Sequence, residues 1–278
     1  MDRIFLQREA TRLKVVHRQR VQRQGDADPA PAFSAAELPA SVVSAAAAGW
    51  QRLLETEYES VVIAGWMTSA LARLGAPLDV IGAFGRVVED EIRHVDICAQ
   101  MVERFGGRPS VPRAAVPPVP LQLEPGTEGE FEVLSGLVSF FCVFEHLSGL
   151  VFRQALGAAQ VGLARWALSE IFRDEAFHGA FGYEAAKLYV PSWDEARRAR
   201  LGQRVVADVR RFEQRLGGPL PAEAEARPPD PEAEALERLG LLSTPALLGT
   251  FYAGVQQQLL PRMAELGVPL DLRVERRA

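Results

Sequence analysis

Four long helical segments, joined by a short, a long and a short connection, constrain the fold of this chain more than any other feature. Helix-forming residues and apolar residues at helical spacing predict four helices, at about residues 41–74, 79–105, 128–156 and 163–189. Gly75 and Pro77 end the first helix, Asp79 is the predicted N-cap of the second, and Pro191 ends the fourth. Between the second and third helices lies a proline-rich stretch, residues 108–129, which is long enough to run the length of a helix.

This order of connections is typical of a four-helix bundle with one long crossover, the ferritin-like arrangement. The predicted fold class is therefore all-α, with a ferritin-like bundle over residues 41–190. An N-terminal basic helix and linker (1–40) precede the bundle, and a C-terminal helical extension (191–278) follows it. Within the extension, a proline- and acid-rich stretch at about 217–235 is expected to be mobile, and an apolar final segment is expected to dock onto the bundle.

Composition narrows the classes of function. A formal net charge of −5 gives no global attraction to nucleic acid or to an anionic membrane. Neither an export leader nor a run of 18 apolar residues is apparent, and two cysteines fit a reducing compartment. We therefore expect a cytoplasmic enzyme that acts on a small molecule, with no nucleic-acid or membrane partner.

The second and fourth predicted helices carry the same pattern, Asp-Glu-x-x-His, at residues 90–94 and 174–178. Because residues three apart share one helix face, each Glu-x-x-His pair can offer an oxygen and a nitrogen to one metal ion. One such pair is more often a solvated surface pair. Two pairs, on alternate helices of a bundle, predict a dinuclear site if the first and third helices each add an inward carboxylate.

Both of the remaining helices offer such a carboxylate. Glu145 is the only acidic residue between Glu132 and Glu170, within an otherwise apolar stretch where an unpaired charge would be costly to bury. On the first helix Glu57 falls on the apolar stripe, and Glu59 is the fallback on a more polar face. The predicted ligands of two iron ions, or of a manganese–iron pair, are Glu57, Glu91, His94, Glu145, Glu175 and His178.

Residues beside these ligands have expected supporting roles. A ligating imidazole usually donates its second ring N–H to a carboxylate, so Asp90 would orient His178 across the bundle and Asp174 would orient His94. The alternative is that both aspartates are solvated. His146, next to the Glu145 position but rotated away from it, is expected near the ligands or in the core rather than on a metal.

The two Asp-Glu-x-x-His motifs and their surroundings resemble those of the ferritin-like di-iron carboxylate superfamily, over about residues 41–190. The stretch "EYESVVIAGWMTSALARLGAPLDVIGAFGRVVEDEIRH" is similar to a bacterial ferritin-like oxidase and oxygenase branch, and the resemblance also implies that Glu57 is a ligand. "RDEAFH" resembles the fourth-helix motif of ribonucleotide reductase small subunits. Cys98 stands where radical-storing subunits typically carry tyrosine, whereas monooxygenase hydroxylase subunits can carry cysteine there. The alternative to a role beside the metal site is that Cys98 is simply a small core residue. Ile171 replaces the extra histidine of arylamine N-oxygenases, which disfavours that chemistry.

The expected function is that of a non-haem di-iron oxidase or monooxygenase that uses O2 to oxidise a small organic substrate. The four glutamates would be the catalytic residues, and a ferredoxin or a flavin reductase is the candidate electron donor. A homodimer is expected by analogy alone. A ferroxidase without an organic substrate is the alternative, and a metal-free interaction protein ranks last because six inward polar residues would lack partners.

Overall fold

The computed structural model describes residues 3–5, 30–112, 123–124, 126–219 and 230–272, and this part of the chain is nearly all-α. Most of the predicted N-terminal helix and linker and half of the 108–129 crossover lie outside the described residues, as does the 220–229 part of the predicted linker. Residues 3–5 form a short strand, and the predicted basic helix that follows them stays a prediction.

Four helices occur where the sequence predicts them, with ends within two residues of the predicted ones. They are α1 (Ala40–Arg73), α2 (Leu78–Arg104), α3 (Glu128–Ala158) and α4 (Gly162–Lys187). Gly75 has a φ of +72°, the left-handed conformation that commonly follows a helix C-terminus. The predicted capping role of Asp79 is wrong. The helix begins one residue earlier with Pro77 as its N-cap, and the Asp79 carboxylate accepts a hydrogen bond from the Val80 N–H at 3.0 Å.

The α3 helix changes register along its length. It begins as Glu128–Leu137, continues as a π-helix over Val138–Glu145 and ends as His146–Ala158. By length and composition α3 could cross a membrane, but 72% of its most apolar window is buried inside the protein, as in the core helix of a soluble protein. The expectation of a cytoplasmic location stays a prediction.

The four helices enclose two apolar clusters separated by a polar layer. α1 packs on α2, the second half of α3 packs on α4, and α2 also packs on α4. Along α1, Leu54 belongs to one cluster and Ala64 to the other, and the buried Glu57 lies between them. Along α4, Ile171 and Tyr183 belong to different clusters in the same way. A layer of buried polar side chains therefore crosses the interior between two apolar ends.

The remaining elements pack around these helices. They are β1 (Arg3–Phe5), β2 (Ser110–Pro112), α5 (Glu195–Arg215), α6 (Pro231–Arg238) and α7, which joins Thr244–Gly254, a π-helix Val255–Leu259 and Leu260–Glu265. β1 and β2 form an antiparallel pair that the sequence does not predict, with Ile4 opposite Val111. α6 begins inside the predicted linker, because Asp230 caps the N–H of Glu232 and proline suits the first turn of a helix. α7 packs on α3.

Candidate metal centre

The polar layer brings together one side chain from α1, one from the end of the α3 π-helix, and two each from α2 and α4. Their ligand-type atoms form two groups of four, and within each group all of these atoms lie within 4.8 Å of one another. All six side chains are buried, and Glu91 and Glu175 belong to both groups. The groups are Glu57, Glu91, His94 and Glu175, and Glu91, Glu145, Glu175 and His178.

In the first group, His94 directs Nδ1 at three carboxylates. The distances from Nδ1 are 3.2 Å to Glu57 Oε2, 3.4 Å to Glu91 Oε2 and 3.5 Å to Glu175 Oε1. On the opposite side of the ring, Nε2 lies 3.2 Å from Asp174 Oδ2. The imidazole is thus held from behind by an aspartate and faces the group through one nitrogen.

The second group repeats this arrangement around His178. Its Nδ1 lies 3.1 Å from Glu91 Oε1, 3.4 Å from Glu145 Oε2 and 3.8 Å from Glu175 Oε1. Its Nε2 lies 3.5 Å from Asp90 Oδ2. Each aspartate of the repeated pattern therefore contacts the histidine of the other copy, across the α2–α4 interface.

Alternative carboxylates on α1 lie elsewhere. Glu59 is 46% exposed at its side chain and pairs with Arg215 of α5 at 3.2 Å. Glu55 contacts Arg3 of β1 and accepts a hydrogen bond from Gln51 at 3.0 Å. Neither belongs to the two groups, so Glu57 is the α1 carboxylate that the structure brings to the polar layer.

Three supporting contacts were not predicted from the sequence. The buried Arg93 guanidinium contacts Asp174 and lies 3.0 Å from Glu170 Oε2. The Ser60 hydroxyl, one turn after the α1 ligand candidate, donates to Glu145 Oε1 at 3.2 Å. The signal for Arg93 in the sequence is its position beside the histidine of the first copy, and the signal for Ser60 is its spacing of three from a buried carboxylate.

Several atoms of the polar layer have no hydrogen-bond partner among the described residues. They include both carboxylate oxygens of Glu91, Glu175 Oε2 and His178 Nδ1. His178 Nδ1 is only 3.1 Å from Glu91 Oε1, but the direction of the contact does not suit a hydrogen bond. Buried polar atoms are nearly always hydrogen-bonded, so convergent atoms without protein partners fit a site that could hold a metal ion.

Burial and mutual charge shift the protonation of these groups strongly. Burial raises the pKa of Glu57 to about 7, and burial and the charge of Glu145 raise the pKa of Glu175 well above its usual range. Burial by itself would raise the pKa of Glu91, but contacts with the two imidazoles outweigh burial and lower the pKa to about 2. Burial lowers the pKa of His94, but its contacts with Glu57 and Glu91 outweigh this and raise the pKa to about 9. Without a metal ion, Glu57, Glu175 and His94 therefore retain protons at positions where a cation could bind.

The other residues that were expected near the site are buried and lie outside the two groups of ligand atoms. Cys98 is buried, and burial followed by the charges of two glutamates raises its pKa well above the usual value. Ile171 is also fully buried. His146 faces the Tyr183 ring edge-on at 5.5 Å, and its Nε2 has no hydrogen-bond partner in the described part of the chain. Burial lowers the pKa of His146 to about 4, with the charge of Arg262 acting in the same direction.

No protein-family model matches the chain, and no curated protein matches it. The assignment of the site therefore depends on its chemistry. Four carboxylates and two imidazoles form a donor set of oxygen and nitrogen atoms that suits iron and manganese. Because the unpartnered atoms converge from opposite helices, the residues present could hold a metal ion.

Proposed function

We propose that this chain is a non-haem di-iron oxidase or oxygenase, with a manganese–iron pair as the variant, in a ferritin-like bundle. The observation that carries the proposal is the donor set: four buried glutamates and two buried histidines converge in the core with several atoms unpartnered. A ligand set of this kind, with two Glu-x-x-His pairs and two further glutamates, is shared by di-iron carboxylate bundles.

Charge balance supports two ions rather than one. Four ionised carboxylates in an apolar interior need about four positive charges, because an uncompensated buried charge is very costly. Two divalent cations supply them, and the two overlapping groups offer two positions. Glu91 and Glu175 belong to both groups, so these two carboxylates would help to hold both ions.

When bound, the metal pair supplies electrons to O2 and makes it an oxidant. The protein residues hold and isolate that chemistry. Asp174 and Asp90 hold the Nε2 atoms of the histidines, which leaves each Nδ1 free to face an ion. The apolar clusters on either side of the polar layer, with Phe141 and Ile171 among their fully buried members, exclude water from it.

The proposal includes an organic substrate and an electron donor, either a ferredoxin or a flavin reductase. It also includes a cytoplasmic location and a homodimer. The support for an organic substrate is the resemblance of the helix motifs to oxidase and oxygenase bundles. We expect a ferroxidase to consume O2 in proportion to ferrous iron alone. An oxidase or oxygenase consumes further O2 when substrate and reductant are both present.

The test measures O2 uptake by anaerobically iron-loaded protein, with Glu145→Gln as the test variant and the exposed Glu59→Gln as the matched control. We expect uptake in the wild type and in Glu59→Gln, and a loss of at least tenfold in Glu145→Gln. A screen of small organic compounds with a chemical reductant then separates the two reactions. Uptake that is equal in all three proteins would contradict the site, and uptake that stops with iron oxidation for every compound would favour the ferroxidase.

A further inference from the structure

The two histidines of the site differ in the side chains that support their Nε2 atoms. Asp174, which holds His94, contacts the guanidinium of Arg93, and Arg93 also lies 3.0 Å from Glu170 Oε2. These three supporting side chains are all buried. Glu170 in turn accepts from Arg173 at 2.6 Å, so a continuous chain of ion pairs runs from the imidazole to the surface.

Support for His178 is looser. Asp90 lies 3.5 Å from its Nε2, and the other oxygen of Asp90 has no hydrogen-bond partner among the described residues. Asp90 pairs at 3.4 Å with Arg86, which is 48% exposed at its side chain and lies over the ring of Phe177, and the charge of Arg93 also acts on Asp90. Asp90 is buried but Arg86 is half exposed, so water screens this pair more than the Arg93–Asp174 pair, in which both side chains are buried, and the long Arg86 side chain must also be ordered.

We propose that Arg93 is a positioning residue that makes the His94 half of the site the tighter metal position, whereas the His178 half binds its ion more weakly and exchanges it. This inference rests on the proposed dinuclear function. A buried, doubly paired guanidinium fixes the Asp174 carboxylate, and the carboxylate fixes the imidazole. An ion that binds there therefore orders fewer groups than an ion that binds at the His178 half.

One contact acts in the other direction. Ser60 donates to Glu145 Oε1 and so supports a ligand of the His178 half. Ser60 makes one hydrogen bond in which only the acceptor is charged, whereas Arg93 makes two contacts in which both partners are charged. The balance of supporting contacts still favours the His94 half.

The first experiment assigns the two binding steps. Mn²⁺ is titrated into chelator-treated protein, and free Mn²⁺ is followed by electron paramagnetic resonance. We expect two resolved steps in the wild type, retention of the tighter step in His178→Ala, and its loss in His94→Ala. Two steps of equal affinity, or loss of the tighter step in His178→Ala, would overturn the inference.

The second experiment tests the guanidinium itself. Outer-shell partners of metal ligands typically contribute about 10- to 100-fold in metal affinity, and we expect a loss of this size in the tighter step for Arg93→Gln. Arg93→Lys should restore part of it, and Arg86→Gln is the matched control that should leave the tighter step unchanged. An unchanged tighter step in Arg93→Gln would refute the positioning role.

Because Arg93→Gln removes the guanidinium that contacts the buried Asp174 and one of the two that contact Glu170, its folding is checked by circular dichroism. If it does not fold, the near-isosteric pair Asp174→Asn and Asp90→Asn makes the same comparison. We expect Asp174→Asn to weaken the tighter step and Asp90→Asn to leave it intact, and the reverse would overturn the inference. A wild type that binds neither Mn²⁺ nor Fe²⁺ would instead refute the proposed function, so the two failures are distinguishable.

Discussion

Replacing Glu57 by glutamine should stabilise the ion-free protein and weaken its binding of metal. The side chain is buried, and its pKa is raised from an ordinary 4.5 to about 7, chiefly by burial. Such a rise is equivalent to about 3 kcal/mol that disfavours the ionised form in the folded state. This value is an upper limit for the gain, because the substitution also changes the 3.2 Å contact with His94 Nδ1. We expect a gain of about 1–3 kcal/mol at pH 8.

The pH dependence has a defined sign. A carboxyl group with a raised pKa in the folded state costs nothing below its unfolded pKa, and the cost grows between the unfolded and the folded pKa and is complete above the folded pKa. Wild type and Glu57→Gln should therefore be nearly equal in stability near pH 4.5 and differ most above pH 7. Urea unfolding of chelator-treated protein at several pH values measures the difference directly.

Added metal should offset this advantage of Glu57→Gln. A ligand at 100 times its Kd stabilises the folded state by about 2.7 kcal/mol, and Glu57→Gln should lose most of this gain. Glu59→Gln, on the same helix but 46% exposed, is the matched control and should change stability by less than about 1 kcal/mol. The reasoning is refuted if ion-free Glu57→Gln is less stable than the wild type at pH 8, or if added metal stabilises both proteins equally.

Two further predictions concern protons and packing. Metal affinity should increase with pH from 6 to 9. An ion must displace the protons that Glu57 and His94 retain because their pKa values are raised, to about 7 and about 9. Equilibrium dialysis with Mn²⁺ at several pH values measures this, and an affinity that does not change with pH would contradict it. Gly182→Ala should destabilise the protein by about 1–3 kcal/mol or more, because its Cβ would overlap Phe141 Cβ and lie 3.0 Å from the Phe141 carbonyl carbon. Gly65→Ala, whose Cβ meets nothing within 4 Å, should instead stabilise α1 by about 0.5–1 kcal/mol; thermal unfolding compares the two, and equal effects would refute the packing argument.

Helix positions and the buried carboxylates could be predicted because both follow from local patterns. Glu145 stands alone in an apolar stretch, and Glu57 lies on the apolar side of its helix, so helical periodicity was enough to direct both inward. The proline and glycine positions between the helices set the order of connections in the same way. A pattern within one helix determines which side of that helix is buried.

Contacts between helices could not be predicted in the same way. Whether Arg93 meets Asp174 and Glu170 depends on the rotation and offset of α2 against α4, which no single-helix pattern records. The π-helix that ends at Glu145 has i to i+5 hydrogen bonds, which change the angle between successive side chains and therefore the surroundings of His146. The β1–β2 pair joins residues more than 100 positions apart, and a proline-rich stretch gives little indication of such pairing.

The most direct test of the central claim is the metal content per chain, measured by elemental analysis of protein grown with iron and manganese. We expect about two ions per chain in the wild type and loss of both in the double variant His94→Ala/His178→Ala. Circular dichroism would check that the variant remains helical. A folded wild-type protein without bound metal, even after anaerobic loading with ferrous iron, would contradict the account.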